Sequence, residues 1–197
     1  MLETRQLQRL HVGPVDLAVA AGTCIAIEGR SGSGKSVLLR AIADLDPHAG
    51  DVAFGGRWCS QMPAPSWRRL VTYVSAAPGW WHDRVGAHFR EPASVRALLP
   101  QVGLPEEAVD WEVARLSTGE RQRIALLRAM TPENRVLLLD EPTSGLDAES
   151  IALVEALLRE RVAAGTTLLL VTHDPAQAER LALKRYQLAD GQLHERT

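Results

Sequence analysis

The stretch Gly29-Arg30-Ser31-Gly32-Ser33-Gly34-Lys35-Ser36 restricts the fold of this chain more than any other. It has the pattern G-x-x-x-x-G-K-S/T, which works where a buried strand runs into a tight turn and a helix leaves it. Both neighbours are present. Residues 23–27 (TCIAI) predict a buried strand, and residues 36–43 (SVLLRAIA) predict a helix. Glycines let backbone N–H groups and the helix N-terminus come close to phosphate oxygens. In such a loop Lys35 reaches the β- and γ-phosphates of a nucleoside triphosphate, and the Ser36 hydroxyl faces Mg2+. The competing reading is a glycine-rich turn with a chance lysine, and the downstream residues weigh against it.

A chain of 197 residues is long enough for one α/β domain with a substantial core and a small insertion. Its 22 Lys+Arg against 24 Asp+Glu give a net charge of -2, so there is no overall basic field and no nucleic-acid partner is expected. Cys24 and Cys59 stand in no metal or redox spacing, and Cys24 lies in an apolar strand pattern, as a buried reduced thiol would. No run approaches the ~18 apolar residues of a membrane span. The mostly apolar residues 17–27 follow Asp16, contain Gly22 and feed the glycine loop, so they belong to the fold.

Residues 2–19 alternate weakly around Gly13-Pro14 and predict short antiparallel strands. Residues 52–59 predict a hairpin turning at Gly55-Gly56, and residues 71–75 (VTYVS) predict a further strand. From Ala76 to Arg115 prolines and tryptophans punctuate short segments, with helical starts at Ser94 and at Leu104-Pro105; this reads as an inserted, mostly helical subdomain. Ser117-Thr118-Gly119-Glu120 is an S-x-x-E capping box ahead of a helix carrying Ile124, Leu127 and Met130 on one face. Residues 136–139 (VLLL) predict a fully buried strand, Asp147 caps a helix, residues 166–171 form a strand, and Asp174-Pro175 opens another helix. Asp190-Gly191 closes a last hairpin.

Ligands of open parallel sheets sit beyond the carboxyl ends of the strands. Three predicted strands end there in residues suited to a triphosphate: the glycine loop, Asp140-Glu141, and Thr172-His173. Asp140 is placed to hold Mg2+ through water, and Glu141, pointing elsewhere, to orient or deprotonate an attacking water. His173 is placed to touch the γ-phosphate. Ser117-Thr118-Gly119, at a helix N-terminus, is a second anion site that one nucleotide loop leaves without a ligand.

Leu116-Ser117-Thr118-Gly119-Glu120-Arg121-Gln122-Arg123 resembles the signature motif of the ABC (ATP-binding cassette) ATPases. Ser144-Gly145-Leu146-Asp147 resembles that family's D-loop, and Thr172-His173-Asp174 its switch histidine. With the phosphate loop and Asp140-Glu141 the motifs stand in the family's order and cover essentially the whole chain. The resemblance implies a P-loop NTPase (RecA-like) α/β core with a mainly parallel sheet, an N-terminal antiparallel portion and a small inserted helical subdomain. It implies one domain over residues 1–197, with a core of residues 1–75 and 131–197 and a signature subdomain near 76–130.

Its further implications concern function. ATP would be held by the loop from Gly29 to Ser36 and by Val37, with Mg2+ on Ser36 and Asp140. Lys35, Glu141 and His173 would be catalytic. Two cassettes, this one and a second copy or a paralogous ABC ATPase, would sandwich two ATP. Each loop would then be closed by the partner's signature, Ser117, Thr118, Gly119 and Glu120 in this chain, with Asp147 at the junction. Such a cassette drives transport through separate transmembrane permease subunits, from the cytoplasm, at the inner face of the membrane.

The departures are specific. Thr118 and Glu120 stand where the family usually has glycine and glutamine, and Ala76 replaces the Q-loop glutamine, with His82 or Asp83 as candidate substitutes. Leu10 or His11 lies where an aromatic usually stacks on adenine. Trp80 and Trp81 are divided between subdomain packing and a membrane-subunit surface, and Arg121, Arg123 and Arg128 read as a solvated helix face. The alternatives are a soluble ABC-type ATPase or a weakly hydrolysing regulatory switch, and an unrelated P-loop kinase or GTPase. Repair-type ATPases need a long coiled coil that no heptads here supply. A GTPase needs Asn-Lys-x-Asp, whereas Asn134, the only asparagine, precedes Arg135.

Overall fold

The structure, a computed structural model, describes residues 1–196. In chain order its strands are β1 (Leu2–Arg9), β2 (Val12–Val19), β3 (Cys24–Glu28), β4 (Ala49–Phe54), β5 (Arg57–Trp58), β6 (Val71–Val74), β7 (Val136–Asp140), β8 (Thr167–Val171), β9 (Lys184–Ala189) and β10 (Gln192–Arg196). The α-helices are α1 (Lys35–Ile42), α2 (Ala64–Leu70), α3 (Pro92–Arg96), α4 (Thr118–Ala129), α5 (Ala148–Ala163) and α6 (Pro175–Leu181).

The opening strands make an antiparallel sheet in the order β2-β1-β4-β5, closed by the Gly55-Gly56 turn. The β1–β2 pairing shifts register between Thr4 and Leu7. Thr4 is buried there, and its hydroxyl donates to the Val15 carbonyl and accepts from the Leu17 N–H, each at 2.9 Å, replacing ladder bonds the irregularity removes.

The second sheet has the order β10-β9-β3-β8-β7-β6, parallel throughout except for β10 at one edge. Every residue of β3, β7 and β8 is buried, as expected of strands covered on both faces. The two-residue period divides them. Ile25, Ile27, Leu138, Leu169 and Val171 face α1, Trp67 and the antiparallel sheet. Cys24, Leu137, Leu139, Leu168 and Leu170 face the apolar residues of α4, α5 and the segment before α4. Cys24 and Cys59 are both buried free thiols.

Residues 76–115 depart from the expected helices. They contain α3, five residues long, and 3-10 turns at Val85–His88, Leu99–Val102, Glu106–Asp110 and Val113–Arg115. Pro92, Pro100, Pro105 and Gly103 interrupt the chain too often for an i→i+4 ladder to propagate. The arginines of α4 are also not a solvated face. Arg121 donates to the Val113 carbonyl (3.2 Å), Arg123 to Val102 (2.7 Å) and Arg128 to Gly79 (3.0 Å), so they fasten this irregular segment to the helix.

Candidate functional site

The glycine loop lies between β3 and α1. Gly34 heads α1 in the left-handed region (φ 102), and a Cβ on it would run into the Val12 side chain. Gly29 (φ 155) leaves only 2.5 Å between a Cβ and the Leu188 carbonyl. These two positions are glycine because neighbouring strands press on the loop. The Lys35 ammonium folds back and donates to the carbonyls of Gly29 (2.7 Å) and Arg30 (3.1 Å). Burial pulls its pKa down, and the negative charges of Glu141 and Asp140 oppose that shift.

Asp140 ends β7 and is 5% exposed. The Tyr73 hydroxyl of β6 donates to its Oδ2 at 2.8 Å. At the next residue the chain turns out of the sheet: Glu141 has φ 52, a left-handed conformation costly for a side chain with a Cβ. Its backbone N–H and C=O are both bonded there, the C=O also accepting from the Ser144 N–H at 3.2 Å. Its N–H donates to the Val171 carbonyl (3.0 Å), and its carbonyl accepts from Nε2 of Gln122 (2.5 Å), a buried residue of α4. Oε1 of Glu141 lies 3.0 Å from Nε2 of His173 but out of line for a hydrogen bond, so that buried oxygen has no donor. Burial raises the Glu141 pKa, against the lowering effect of His173 and Lys35.

These groups open on one cleft of about 300 Å3, lined by His11, Ser31, Gly32, Gly34, Lys35, Ser36, Val37, Ala76, Asp140, Glu141 and His173. Arg30 and Ser33 face an adjoining groove with residues 187–190. The predicted signature does not reach the cleft. Ser117 and Glu120 form a complete capping box at the start of α4, Ser117 and Thr118 are exposed, and Gly119 abuts Leu146. Asp147 caps α5 by accepting from the Ser150 N–H at 2.8 Å. His11 lines the cleft, whereas Leu10 points to solvent.

Ala76 faces the cleft with no polar side-chain atom, and neither His82 nor Asp83 makes up for it. Both line a separate hollow with Trp80, Glu112, Val113 and Ala114. Trp81 is 64% exposed, while Trp80 packs against the core; Arg128 lies 5.0 and 4.6 Å from the Trp80 and Trp81 rings.

Tyr73 lies outside the motifs and Gln122 inside the signature run without a role of its own, yet each carries a signal. A half-buried tyrosine on a strand that pairs with a buried one needs a partner for its hydroxyl. A glutamine four residues before Leu126 lies on the buried face of α4.

A family model described as ABC transporter matches residues 12–144. The chain belongs to the ABC transporter family. It is 43% identical over 188 residues to the "Aliphatic sulfonates import ATP-binding protein SsuB 2" of Pseudomonas aeruginosa (strain UCBPP-PA14), covering 91% of this chain and 66% of that protein. It is 41% identical over 193 residues to "Aliphatic sulfonates import ATP-binding protein SsuB" of Pseudomonas entomophila (strain L48), covering 93% and 69%. The ABC chain thus spans about two thirds of the length of these relatives. Among solved structures, the "ATP binding subunit of ABC transporter" superposes with a TM-score of 0.87 at 25% identity, covering 100% of this chain and 89% of that one. A dimeric bacterial ABC transporter cassette superposes with a TM-score of 0.82 at 24% identity, covering 100% and 98%. The fold is the P-loop NTPase fold of an ABC cassette, and the ATP-binding cassettes of this family are ATPases.

Proposed function

We propose that this ABC cassette is the ATP-hydrolysing subunit of an importer, powering separate membrane subunits. The observation that carries the reading is the convergence of Lys35, Ser36, Asp140, Glu141 and His173 on one cleft at the carboxyl ends of β3, β7 and β8. An incoming triphosphate meets the N–H groups at the head of α1, and the Lys35 ammonium exchanges the Gly29 and Arg30 carbonyls for phosphate oxygens. Glu141, made more basic by burial, accepts the proton of the attacking water, with His173 beside it to orient the γ-phosphate. Ser36 and Asp140 offer two hard oxygen donors to the same space, which fits Mg2+, an ion that keeps several waters and takes few protein ligands. The ion would neutralise phosphate charge.

Ser117, Thr118, Gly119 and Glu120 lie outside their own cleft, as does Asp147, and they serve the cleft of a second copy or a paralogous cassette. Among the described residues no helix is long and apolar enough to cross a membrane, so the span comes from partner subunits. The cassette sits beneath them on the cytoplasmic side. The two relatives above are named for aliphatic sulfonate import, and a sulfonate is the proposed cargo class. Ala76 favours one second reading, a slowly hydrolysing ATP switch, because it removes a polar group from the cleft.

The test is co-purification from membranes followed by ATPase assay of the complex. Glu141→Gln is expected to lower kcat by about 10²–10⁴-fold while ATP still binds. If no membrane protein accompanies the cassette and hydrolysis does not depend on Glu141, the reading is wrong.

A further inference from the structure

We infer that Tyr73 is a positioning residue for Asp140, its hydroxyl fixing the carboxylate in the orientation that receives the metal ion of the nucleotide. The inference rests on the ATPase reading above and adds to it a residue from a strand outside the nucleotide motifs.

The geometry follows from register. β6 is the edge strand of the parallel sheet and pairs only with β7, Tyr73 lying opposite Leu138. Leu138 and Asp140 point to the same face, two residues apart. The Tyr73 ring therefore lies along Leu138, and its hydroxyl arrives at Asp140 Oδ2 at 2.8 Å. This is the one side-chain hydrogen bond that Asp140 receives among the described residues. A buried carboxylate requires such a donor.

The phenol is suited to this task. Its O–H is aimed at the carboxylate and donates to it, while the ring holds the oxygen at the right height above Leu138. The Arg40 guanidinium lies 6.0 Å from the ring centroid and is itself paired with Asp46. On this wall of the cleft Ala76, three residues further on, presents a methyl group, and His82 and Asp83 line a separate hollow. With the Tyr73 bond in place, one carboxylate oxygen is tied and rotation of the group is blocked. Partners that orient a metal-holding side chain in this way typically govern affinity by about 10–100-fold.

The experiment uses the whole chain with a fluorescent ATP analogue, titrated with Mg2+ and measured also in excess chelator. Tyr73→Phe keeps the ring, its contact with Leu138 and the Arg40 stacking. The expected result is an increase of about 10–100-fold in the Mg2+ concentration that half-saturates metal-dependent nucleotide binding, with metal-free affinity unchanged. Hydrolysis by the variant should recover at high Mg2+. In an Asp140→Asn background, Tyr73→Phe should change nothing further. An unchanged Mg2+ half-saturation overturns the inference, as does an equal loss of metal-free binding, which would mark a merely structural role. If the parent protein binds no nucleotide at all, the ATPase reading itself falls.

Discussion

The cleft and the segment over residues 76–115 are built by opposite means. Around the cleft, β3, β7 and β8 are buried throughout and paired on both sides, so the backbone is fixed by the ladder and the polar residues follow at strand ends. In the segment, one isolated bridge, Arg84 to Glu112, the five-residue α3 and short 3-10 turns are the regular structure. Side chains supply the rest. Nε2 of His88 accepts from the N–H groups of Trp81 (3.0 Å) and His82 (3.1 Å), its Nδ1 faces the Arg84 carbonyl, and three arginines of α4 take further carbonyls. A ladder satisfies backbone groups whatever the side chains are; an irregular segment depends on particular ones.

Cavity cost is the largest way to break this comparison. Leu138 in β7 and Leu99 in a 3-10 turn are both fully buried. Leu138→Ala is expected to cost about 3–5 kcal/mol in chemical denaturation, because flanking strands on both sides cannot collapse into the space. Leu99→Ala should fall nearer about 2 kcal/mol, since turns relax more readily than a central strand. Equal losses would mean that the segment is as rigid as the sheet.

Next comes the His88 anchor. Its ring is buried against Trp80, Trp81 and His82, and only a ring with Nε2 unprotonated can accept two N–H groups. Burial lowers its pKa from the ordinary 6.5, aided by Arg128 and His82 and opposed by the Arg84 and Val85 carbonyls. With the folded value below the unfolded one, the unfolded chain binds more protons in between, so stability falls as pH falls. The contribution is complete above 6.5 and is lost as pH drops through the lower folded value. Hydrogen-exchange protection of the Trp81 and His82 amides should therefore drop as pH is lowered below 6.5, relative to amides of β7. His88→Gln should flatten that dependence. Parallel loss in both regions would show that the segment does not open separately.

The same contrast sets what the sequence could convey. Buried strands, the caps at Ser117, Asp147 and Asp174, and the Asp190-Gly191 hairpin are local patterns, and each stands where those patterns put it. The cleft was legible because its polar residues directly follow apolar strands. The Tyr73 bond was not, because it depends on the β6–β7 register, which no local pattern encodes. Gln122 was missed for the same reason: its partner is a backbone carbonyl 19 residues away. The arginines of α4 misled because a charged residue on a helix usually meets water, whereas these meet carbonyls of an irregular segment that has too few backbone partners.

The smallest effect tests the junction between the two regions, because α4 belongs to both. Its far end is held by Arg128 on the Gly79 carbonyl, a distant contact, but its start is specified locally. The Ser117 hydroxyl accepts from the Glu120 N–H at 3.2 Å, and the Glu120 carboxylate accepts from the Ser117 N–H at 2.8 Å. Both residues lie toward solvent, so losing the cap leaves groups that water can reach, and Ser117→Ala should cost only about 1 kcal/mol in denaturation. Ser117→Asp should recover most of that stability, since it also caps and favours the positive end of the helix. In the assembled ATPase the same aspartate would face the triphosphate of the other copy, so activity should fall while stability returns. If stability and activity recover together, Ser117 is a cap and nothing more; if they part, the start of α4 answers to a second cassette as well as to its own fold.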